Sequence, residues 1–347
     1  MAFAFGAGVH YLCHMMWRVI WAGLGALVVL FWNVENYFDP FDDPLKNDNE
    51  FTPRAERHWT WSRFEAKRDG IAQTILAAGD VWGELPALVG LCEVENRMVV
   101  SQLVRKTVLE ELGYGFVHRE SPDERGIDVA LLYRKDLLHV LAVDSLRVPG
   151  VVTRDILYVV LKKMPDQVGH DAFDRVGHDE GRETRHARLD RASLDKDGLL
   201  HVFVVHLPSK RGGARASDDR RLAALGVLQG AVDSLLALDS TSRILVMGDF
   251  NDTNPALAGL SEPAFATTGY PPGTLKYHGR WERIDHFFLS PAVGPAEMQI
   301  FAPPFLLEAD KAWLGQKPRR TYVGPRYNGG LSDHLPICLR LDEPIVR

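Results

Sequence analysis

The feature that most constrains this chain is a junction that recurs along it: an apolar run gives way, within a residue or two, to an acid, an amide or an imidazole. It occurs in "VVLFWNVEN", "ALVGLCEVEN", "LLHVFVVHLPSK" and "RILVMGDFND", and in reverse order in "RIDHFFLS" and "SDHLPICL". Short apolar runs rich in β-branched and aromatic residues, bounded by turn formers, read as buried strands. Strands are predicted at Leu27–Asn33, Ala87–Val94, Asp128–Tyr133, Ile156–Leu161, His201–His206, Arg243–Asp249, Arg283–Leu289 and Leu335–Leu341. Between them, apolar residues recur at helical spacing in 62–78 (Phe64, Ile71, Ile75, Ala78), 97–112 (Val99, Leu103, Leu112) and 217–238 (Leu222, Leu225, Val232, Leu235). Strand and helix signals alternating over the whole chain predict an α/β architecture.

No Gly/Ser-rich linker interrupts the 347 residues, so residues 27–347 read as one domain. A polar insertion at 166–187 carries "VGHD" twice and reads as a solvated surface excursion, with metal binding by its histidines as the other reading. Cys13, Cys92 and Cys338 are too few and too scattered for a disulfide framework or a zinc site. A net charge of −6 excludes a surface coated with base but leaves room for a local basic groove. Residues 1–26 form an apolar segment in which Arg18 is the one formal charge. It reads as a signal-like or anchoring segment or as a tail packed on the body, so export, membrane association and a cytoplasmic location all stay open.

The polar residues at these junctions are Asn33, Glu35, Glu93, His206, Asp249, Asn251, Asp285, Asp333 and His334. Open α/β sheets gather ligands at strand ends, so the nine can converge on one cleft. Glu, Asp and Asn are hard oxygen donors that suit Mg²⁺ or Mn²⁺. Glu93, helped by Glu35 or Asp333, would anchor such an ion, while His206, Asp249, Asn251 and His334 would supply acid, base and charge stabilisation at phosphorus, with His334 paired to Asp285. "GDFND" taken alone is equally a turn. Six junctions of the same kind, in order, favour the functional reading.

The set "WNVEN", "CEVEN", "VVHLPSK", "GDFND", "RIDHFFLS" and "SDHLP" closely resembles the endonuclease/exonuclease/phosphatase superfamily with the DNase I-like fold, from about Val28 to Leu341. The resemblance implies a four-layer αββα sandwich, two packed mixed β-sheets flanked by helices, and metal-dependent phosphoester hydrolysis. It implies that Asn33 and Glu93 match the first two active-site motifs and are part of the metal-binding set, with Glu93 the metal-binding glutamate. It also implies that Glu35 falls where some members place an additional metal-binding acid, and that His206 contacts the scissile phosphate. It makes Asp249 and Asn251 the D-x-N pair, with Asp285 orienting His334 beside Asp333. Asp249 and the Asp285–His334 couple both remain open as general base. "SPDERGIDVALLYRKD" resembles bacterial members in which Arg125 and Asp128 face the cleft, with an ion pair or surface turn as the other reading. Lys210 and Arg211 are candidate phosphate contacts, and Arg215, Arg319 and Arg320 could follow a nucleic-acid backbone, with Tyr277 or Trp281 stacking on a base. The expected activity is an endonuclease or exonuclease acting on nucleic acid, with small or lipid phosphoesters as the alternative substrates. A non-catalytic binding module would require loss of Glu93, Asp249, Asn251 or His334, and all are present.

Overall fold

Side-chain alternation along the strands sorts the apolar residues into three cores. In strand Leu27–Tyr37 (β1), Val29 and Phe31 enter one core while Leu30, Trp32 and Val34 enter another. A strand buried on both faces needs a continuous apolar run, which is what its sequence shows. The computed structural model describes residues 27–164, 198–209, 214–266 and 271–341. The segment 1–26 and the insertion at 166–187 lie outside the described residues.

The first sheet runs in the order β3 (Tyr114–His118), β4 (Asp128–Arg134), β2 (Leu88–Val94), β1, β18 (Ile337–Leu341), β13 (Ala296–Ile300) and β9 (Ala264–Phe265). The second runs β12 (Asp285–Leu289), β8 (Arg243–Asp249), β7 (Leu199–His206), β6 (Ile156–Lys163) and β5 (Leu138–Leu146). Both sheets are mixed: β1–β2 and β7–β8 pair parallel, while β1–β18 and β8–β12 pair antiparallel. Their facing sides meet in a core of Val29, Phe31, Val202, Val204, Leu245, Met247, Phe287 and Leu339.

Helices close the two outer faces. Helices α1 (Trp61–Trp82) and α2 (Arg97–Arg105) bury Phe64, Ile71, Val99 and Leu103 against Leu30, Trp32 and Leu91. Helix α3 (Ala214–Leu238) buries Leu228, Val232 and Leu235 against Phe203, Val205 and Val246. Its stretch Ser217–Leu238 is long and apolar enough to cross a membrane by length and composition. The result is the four-layer αββα sandwich expected. Helix α2 begins on an Asn96 side-chain cap to the Val99 amide at 3.0 Å, and stops seven residues short of the predicted end. There the Thr107 hydroxyl takes the Leu103 carbonyl at 2.7 Å and the chain continues in turns to Tyr114. Strands β3, β5 and β13 were not among those predicted.

The packing brings one end of the sandwich into register for chemistry. Strands β1, β2, β7 and β8 finish there, and β12 and β18 start there: Asn33 lies opposite Cys92, and His206, Asp249 and Asp285 lie side by side on three adjacent strands. Gly248 is required at this point, because a side chain there would run into the Val205 carbonyl of β7. Without that close approach His206 and Asp249 would not stand next to one another. Three small hairpins surround the same end: β10–β11 (Leu275–Tyr277, Arg280–Glu282), β14–β15 (Leu307–Ala309, Gln316–Pro318) and β16–β17 (Tyr322–Val323, Arg326–Tyr327).

Candidate active site

Strand period alone explains why these polar residues meet. Asn33 continues the face of Val29 and Phe31, His206 that of Val202 and Val204, and Asp249 that of Leu245 and Met247. Asp285 opens the face of Phe287 and Leu289. Each therefore takes the inward-facing position where its strand reaches the cleft, and together they form the polar floor where the inter-sheet core ends. The floor is buried: Asn33, His206, Asp249, Asp285 and His334 are between 1% and 6% exposed.

Buried polar groups must be paired, and here they pair with one another. Asp249 Oδ2 accepts the Asn33 amide at 3.0 Å, and its Oδ1 accepts the Asn251 backbone N–H at 2.9 Å. Asn33 Oδ1 in turn accepts the Glu35 backbone N–H at 2.9 Å. The Asn251 side chain donates to the Leu207 carbonyl at 2.9 Å. His334 Nδ1 lies 2.8 Å from Asp285 Oδ2, and its Nε2 faces Asp249 Oδ2 across 3.8 Å. His206 Nε2 lies 3.6 Å from Asp249 and 3.9 Å from Glu93, while its Nδ1 has no hydrogen-bond partner. Ser332 fixes the loop that bears His334, donating to the Asn33 carbonyl at 2.6 Å and accepting the His334 N–H at 2.9 Å.

Backbone strain concentrates at the same place. Of the seven non-glycine residues with positive φ among the described ones, four line this cleft: Glu35 at 48°, Asn36 at 54°, Glu93 at 61° and Asn251 at 51°. Such conformations cost on the order of 1–3 kcal/mol each and persist where the surroundings over-determine them. At Glu93 the left-handed residue coincides with a register shift between β2 and β4, which turns its carboxylate towards β1.

Above the floor lies a cleft of about 540 Å³. On one wall Arg125 donates to Asn36 Oδ1 at 2.8 Å and stands 3.9 Å from Glu93. On the other, Arg320 clamps Glu35 Oε1 through Nε at 2.8 Å and a terminal nitrogen at 2.6 Å, and reaches Asp333 at 3.1 Å. The Thr321 N–H holds the second Glu35 oxygen at 3.2 Å.

Burial and charge set opposite protonation states for the two histidines. Burial, aided by Arg154, Arg125 and His334, drives His206 well below the usual imidazole range, so it is neutral. Burial also pulls His334 down, but Asp285, its hydrogen bond and Asp249 outweigh it and push His334 well above that range. Burial lifts the Asp249 carboxyl well above its ordinary value against the pull of His334. An imidazolium thus sits between two carboxylates, beside a neutral imidazole.

The donor set fits a hard divalent cation. Glu93 uses Oε2 to accept the Asn36 N–H at 2.9 Å, and its Oε1 takes no hydrogen bond among the described residues, with His206 Nε2 at 3.9 Å. The field at the floor is negative: beyond its burial, the thiol of Cys92 is pushed up by Asp249, Glu93 and Asp285. Asp249, Asp285 and His334 present ligand atoms within 4.8 Å of one another, but the short His334–Asp285 contact makes them a proton-bearing chain. Glu35 gives both oxygens to Arg320 and Thr321, so an ion would share it with that clamp.

The structure therefore brings Asn33, Glu35, Glu93, Arg125, His206, Asp249, Asn251, Asp333 and His334 to one cleft, with Asp285 directly behind His334. Asp128 does not face the cleft: its carboxylate lies 3.6 Å from His118. Lys210 and Arg211 lie outside the described residues, as does the side chain of Arg215. Arg319 turns to the Asn328 carbonyl at 3.2 Å, and Trp281 packs against the outer core under Lys276, whereas Tyr277 lines the cleft. Sequence reasoning missed Lys67, which is 2% exposed on α1 and donates to the Glu35 carbonyl at 2.6 Å, Thr321 Oγ1 at 2.5 Å and the Leu331 carbonyl at 2.7 Å. A lysine on an amphipathic helix reads as solvated, and nothing local marks it otherwise.

Comparison with known proteins agrees with this geometry. The sequence profile described as "Endonuclease/Exonuclease/phosphatase family" matches residues 28–170, 166–271 and 267–343. Among solved structures, a truncated TDP2 of Caenorhabditis elegans is similar at 14% identity, over 91% of this chain and 97% of that one, with a TM-score of 0.54. An endonuclease/exonuclease/phosphatase family protein of Bacteroides thetaiotaomicron is similar at 14% identity, over 91% and 98%, with a TM-score of 0.53. A mannosyl-6-phosphatase of the same organism is similar at 15% identity, over 90% and 98%, with a TM-score of 0.52. The sequence matches no curated protein.

Proposed function

The chain belongs to the endonuclease/exonuclease/phosphatase family and is a phosphoric ester hydrolase; from that premise we propose that it is a Mg²⁺- or Mn²⁺-dependent phosphodiesterase that cleaves nucleic acid by in-line attack of water. The observation that carries the reading is the shape of the cleft. Through Arg125 and Ser209 it continues into a groove of about 350 Å³ lined by Thr153, Arg154 and Arg220. Through Glu35, Asn36, Arg125 and Arg320 it also opens into a groove of about 260 Å³ that includes Arg57. A catalytic floor that opens into two arginine-bearing grooves suits a chain of phosphates better than one compact ester. Arg154 and Arg57 are held there by Asp123 at 3.3 Å and Glu50 at 3.0 Å, and would have to exchange those partners for phosphate.

Glu93 would hold the cation, with Asn33, Asp333 and a shared Glu35 as the other candidate donors of the cleft; when bound, the ion would neutralise charge building on phosphoryl oxygens. Asp249, whose raised pKa poises it as a base near neutrality, takes the proton of the attacking water. Asp285 keeps His334 cationic, and that imidazolium offsets negative charge developing at phosphorus. Neutral His206 donates its single N–H to a phosphoryl oxygen, and the Asn251 backbone N–H orients Asp249 through its Oδ1.

One observation favours small phosphoesters instead. Lys276 is neutralised by Asp310 at 2.7 Å and Lys317 by Glu308 at 3.4 Å, so the hairpin wall of the cleft offers little free positive charge. The deciding experiment incubates purified protein and Mg²⁺ with plasmid DNA, single-stranded DNA, RNA, sphingomyelin, sugar phosphates and inositol phosphates. Cleavage of at least one nucleic acid that disappears in Asp249→Asn is expected. Release of phosphate or phosphoester headgroups without any nucleic-acid cleavage would overturn the assignment.

A further inference from the structure

A second group of metal-ligating side chains lies outside the cleft, at the edge of the first sheet. Strand β3 ends at His118 and strand β4 begins at Asp128, and the pair is antiparallel, so both residues stand at the mouth of the loop 119–127. Glu120 lies just inside that loop. The His118 side chain is 1% exposed, and its Nε2, facing Asp128 Oδ2 at 3.6 Å, has no hydrogen-bond partner. Its Nδ1 lies 3.8 Å from Glu120 Oε1. One ligand atom from each of the three lies within 4.8 Å of the others. Glu120 is 60% exposed and gives access from solvent.

Asp128 is buried as well, at 2% exposed. Lys46 does not cancel this pocket of acids by direct contact, because its ammonium donates to the carbonyls of Ser121 at 3.2 Å and Asp123 at 3.0 Å.

We propose that His118, Glu120 and Asp128 form a second divalent-metal site, separate from the Glu93 site, that ties together the two ends of the loop carrying Arg125. One imidazole and two carboxylates suit a first-row transition ion such as Mn²⁺, Co²⁺ or Zn²⁺ rather than Mg²⁺. Ligand atoms this far apart need only small side-chain movements to close on bonds of about 2.0–2.2 Å. The site acts on the cleft through position. Arg125 sits within the loop, where Asp123 Oδ1 accepts its backbone N–H at 3.1 Å and Asn36 accepts its guanidinium at 2.8 Å.

The test titrates Co²⁺ into metal-free full-length protein, reading stoichiometry by calorimetry and ligand environment by the visible absorption of Co²⁺, with Mg²⁺ in excess. Wild type and Glu93→Gln are expected to bind Co²⁺ here with the same spectrum. His118→Gln and the exposed Glu120→Gln are expected to weaken binding by at least about tenfold, the scale seen for groups one shell further from a metal. Circular dichroism separates this loss from unfolding, and Glu120→Gln leaves the core untouched. Hydrogen exchange across 119–127 is expected to slow on Co²⁺ loading in wild type and to stay unchanged in the two variants. Unchanged Co²⁺ affinity in folded His118→Gln and Glu120→Gln overturns the proposal, whatever the activity of Glu93→Gln.

Discussion

Lys67→Met tests whether the cleft is braced from beneath. The three ammonium protons of Lys67 meet three acceptors, the Glu35 carbonyl at 2.6 Å, Thr321 Oγ1 at 2.5 Å and the Leu331 carbonyl at 2.7 Å. Those acceptors belong to three segments: the end of β1, the loop after Arg320, and the loop before Asp333. Methionine has a similar length and no donor. Hydrogen bonds to a charged donor contribute about 1.5–3 kcal/mol each, so losing three would cost several. Removing a buried ammonium, which burial already holds below its ordinary pKa against the pull of Glu35, Glu93 and Asp333, recovers part of that. Thr321 Oγ1 also keeps its own bond to the Leu331 carbonyl at 3.2 Å. The net expectation is a loss of about 3 kcal/mol, the low end for removing one partner of a buried charged contact. With an unfolding entropy of about 2.1 cal/mol/K per residue, a chain of 347 residues shifts by about 1.4 °C per kcal/mol, so Tm falls by about 4 °C. Because Glu35, Arg320 and Asp333 all hang on these segments, kcat/KM on bis(p-nitrophenyl) phosphate falls by about tenfold or more, the effect of sub-ångström to 1 Å misplacement. Lys67→Arg does not rescue, since a planar fork cannot address three convergent acceptors. A melt within 2 °C of wild type, or full activity in Lys67→Met, would refute the bracing argument.

Asp285→Asn removes the charge that keeps His334 cationic while relieving a buried carboxylate, so a folded protein with kcat lowered by about 10²-fold is expected; kcat within threefold of wild type in a steady-state assay would reject the couple. EDTA is expected to abolish hydrolysis and Mg²⁺ or Mn²⁺ to restore it, whereas Glu93→Gln stays inactive at any Mg²⁺ concentration reached in the titration. Glu95, raised from 4.5 to about 9 chiefly by burial, keeps a proton in the native state that the unfolded chain loses above 4.5. Its contribution to stability is therefore full below that pH and is lost as pH rises to about 9, with a slope of at most about 1.4 kcal/mol per unit. Urea unfolding at pH 6 and pH 8.5 should show a smaller drop in Glu95→Gln than in wild type, and equal drops would contradict it.

The floor of the cleft was legible because it obeys strand period. Asn33, His206 and Asp249 each extend an inward apolar face by one more step, and that pattern is written in consecutive residues. The walls were not legible in the same way. Glu35 reads in sequence as one more acid beside a metal motif, yet in the fold it is the seat of Arg320, a residue 285 positions away. Lys67 reads as a solvated helix residue and becomes the brace under both. Strands β5 and β13 escaped prediction for a related reason: they lie towards the margins of their sheets, with several positions only half-buried, so their sequences carry a weaker apolar signal than β1 or β8.

The same contrast separates what orients from what reacts. Groups on the floor are fixed by strand pairing and change little unless the sheets themselves shift, which Gly248 prevents by permitting β7 and β8 to close up. Arg125 and Arg320 are carried on connections and anchored by side chains, so their positions depend on single contacts: Asn36 for Arg125, Glu35 and Asp333 for Arg320. Binding a phosphate chain, as proposed, would ask these two arginines to trade their present partners for phosphate oxygens. A cation at Glu93 would favour that trade by taking over the charge that Glu35, Glu93 and Asp333 now present to them. Metal and substrate should therefore bind with positive coupling, the ion freeing the guanidinium groups and the phosphates completing the ion's surroundings. Truncating Arg320 would weaken that coupling more than it weakens binding of the metal alone.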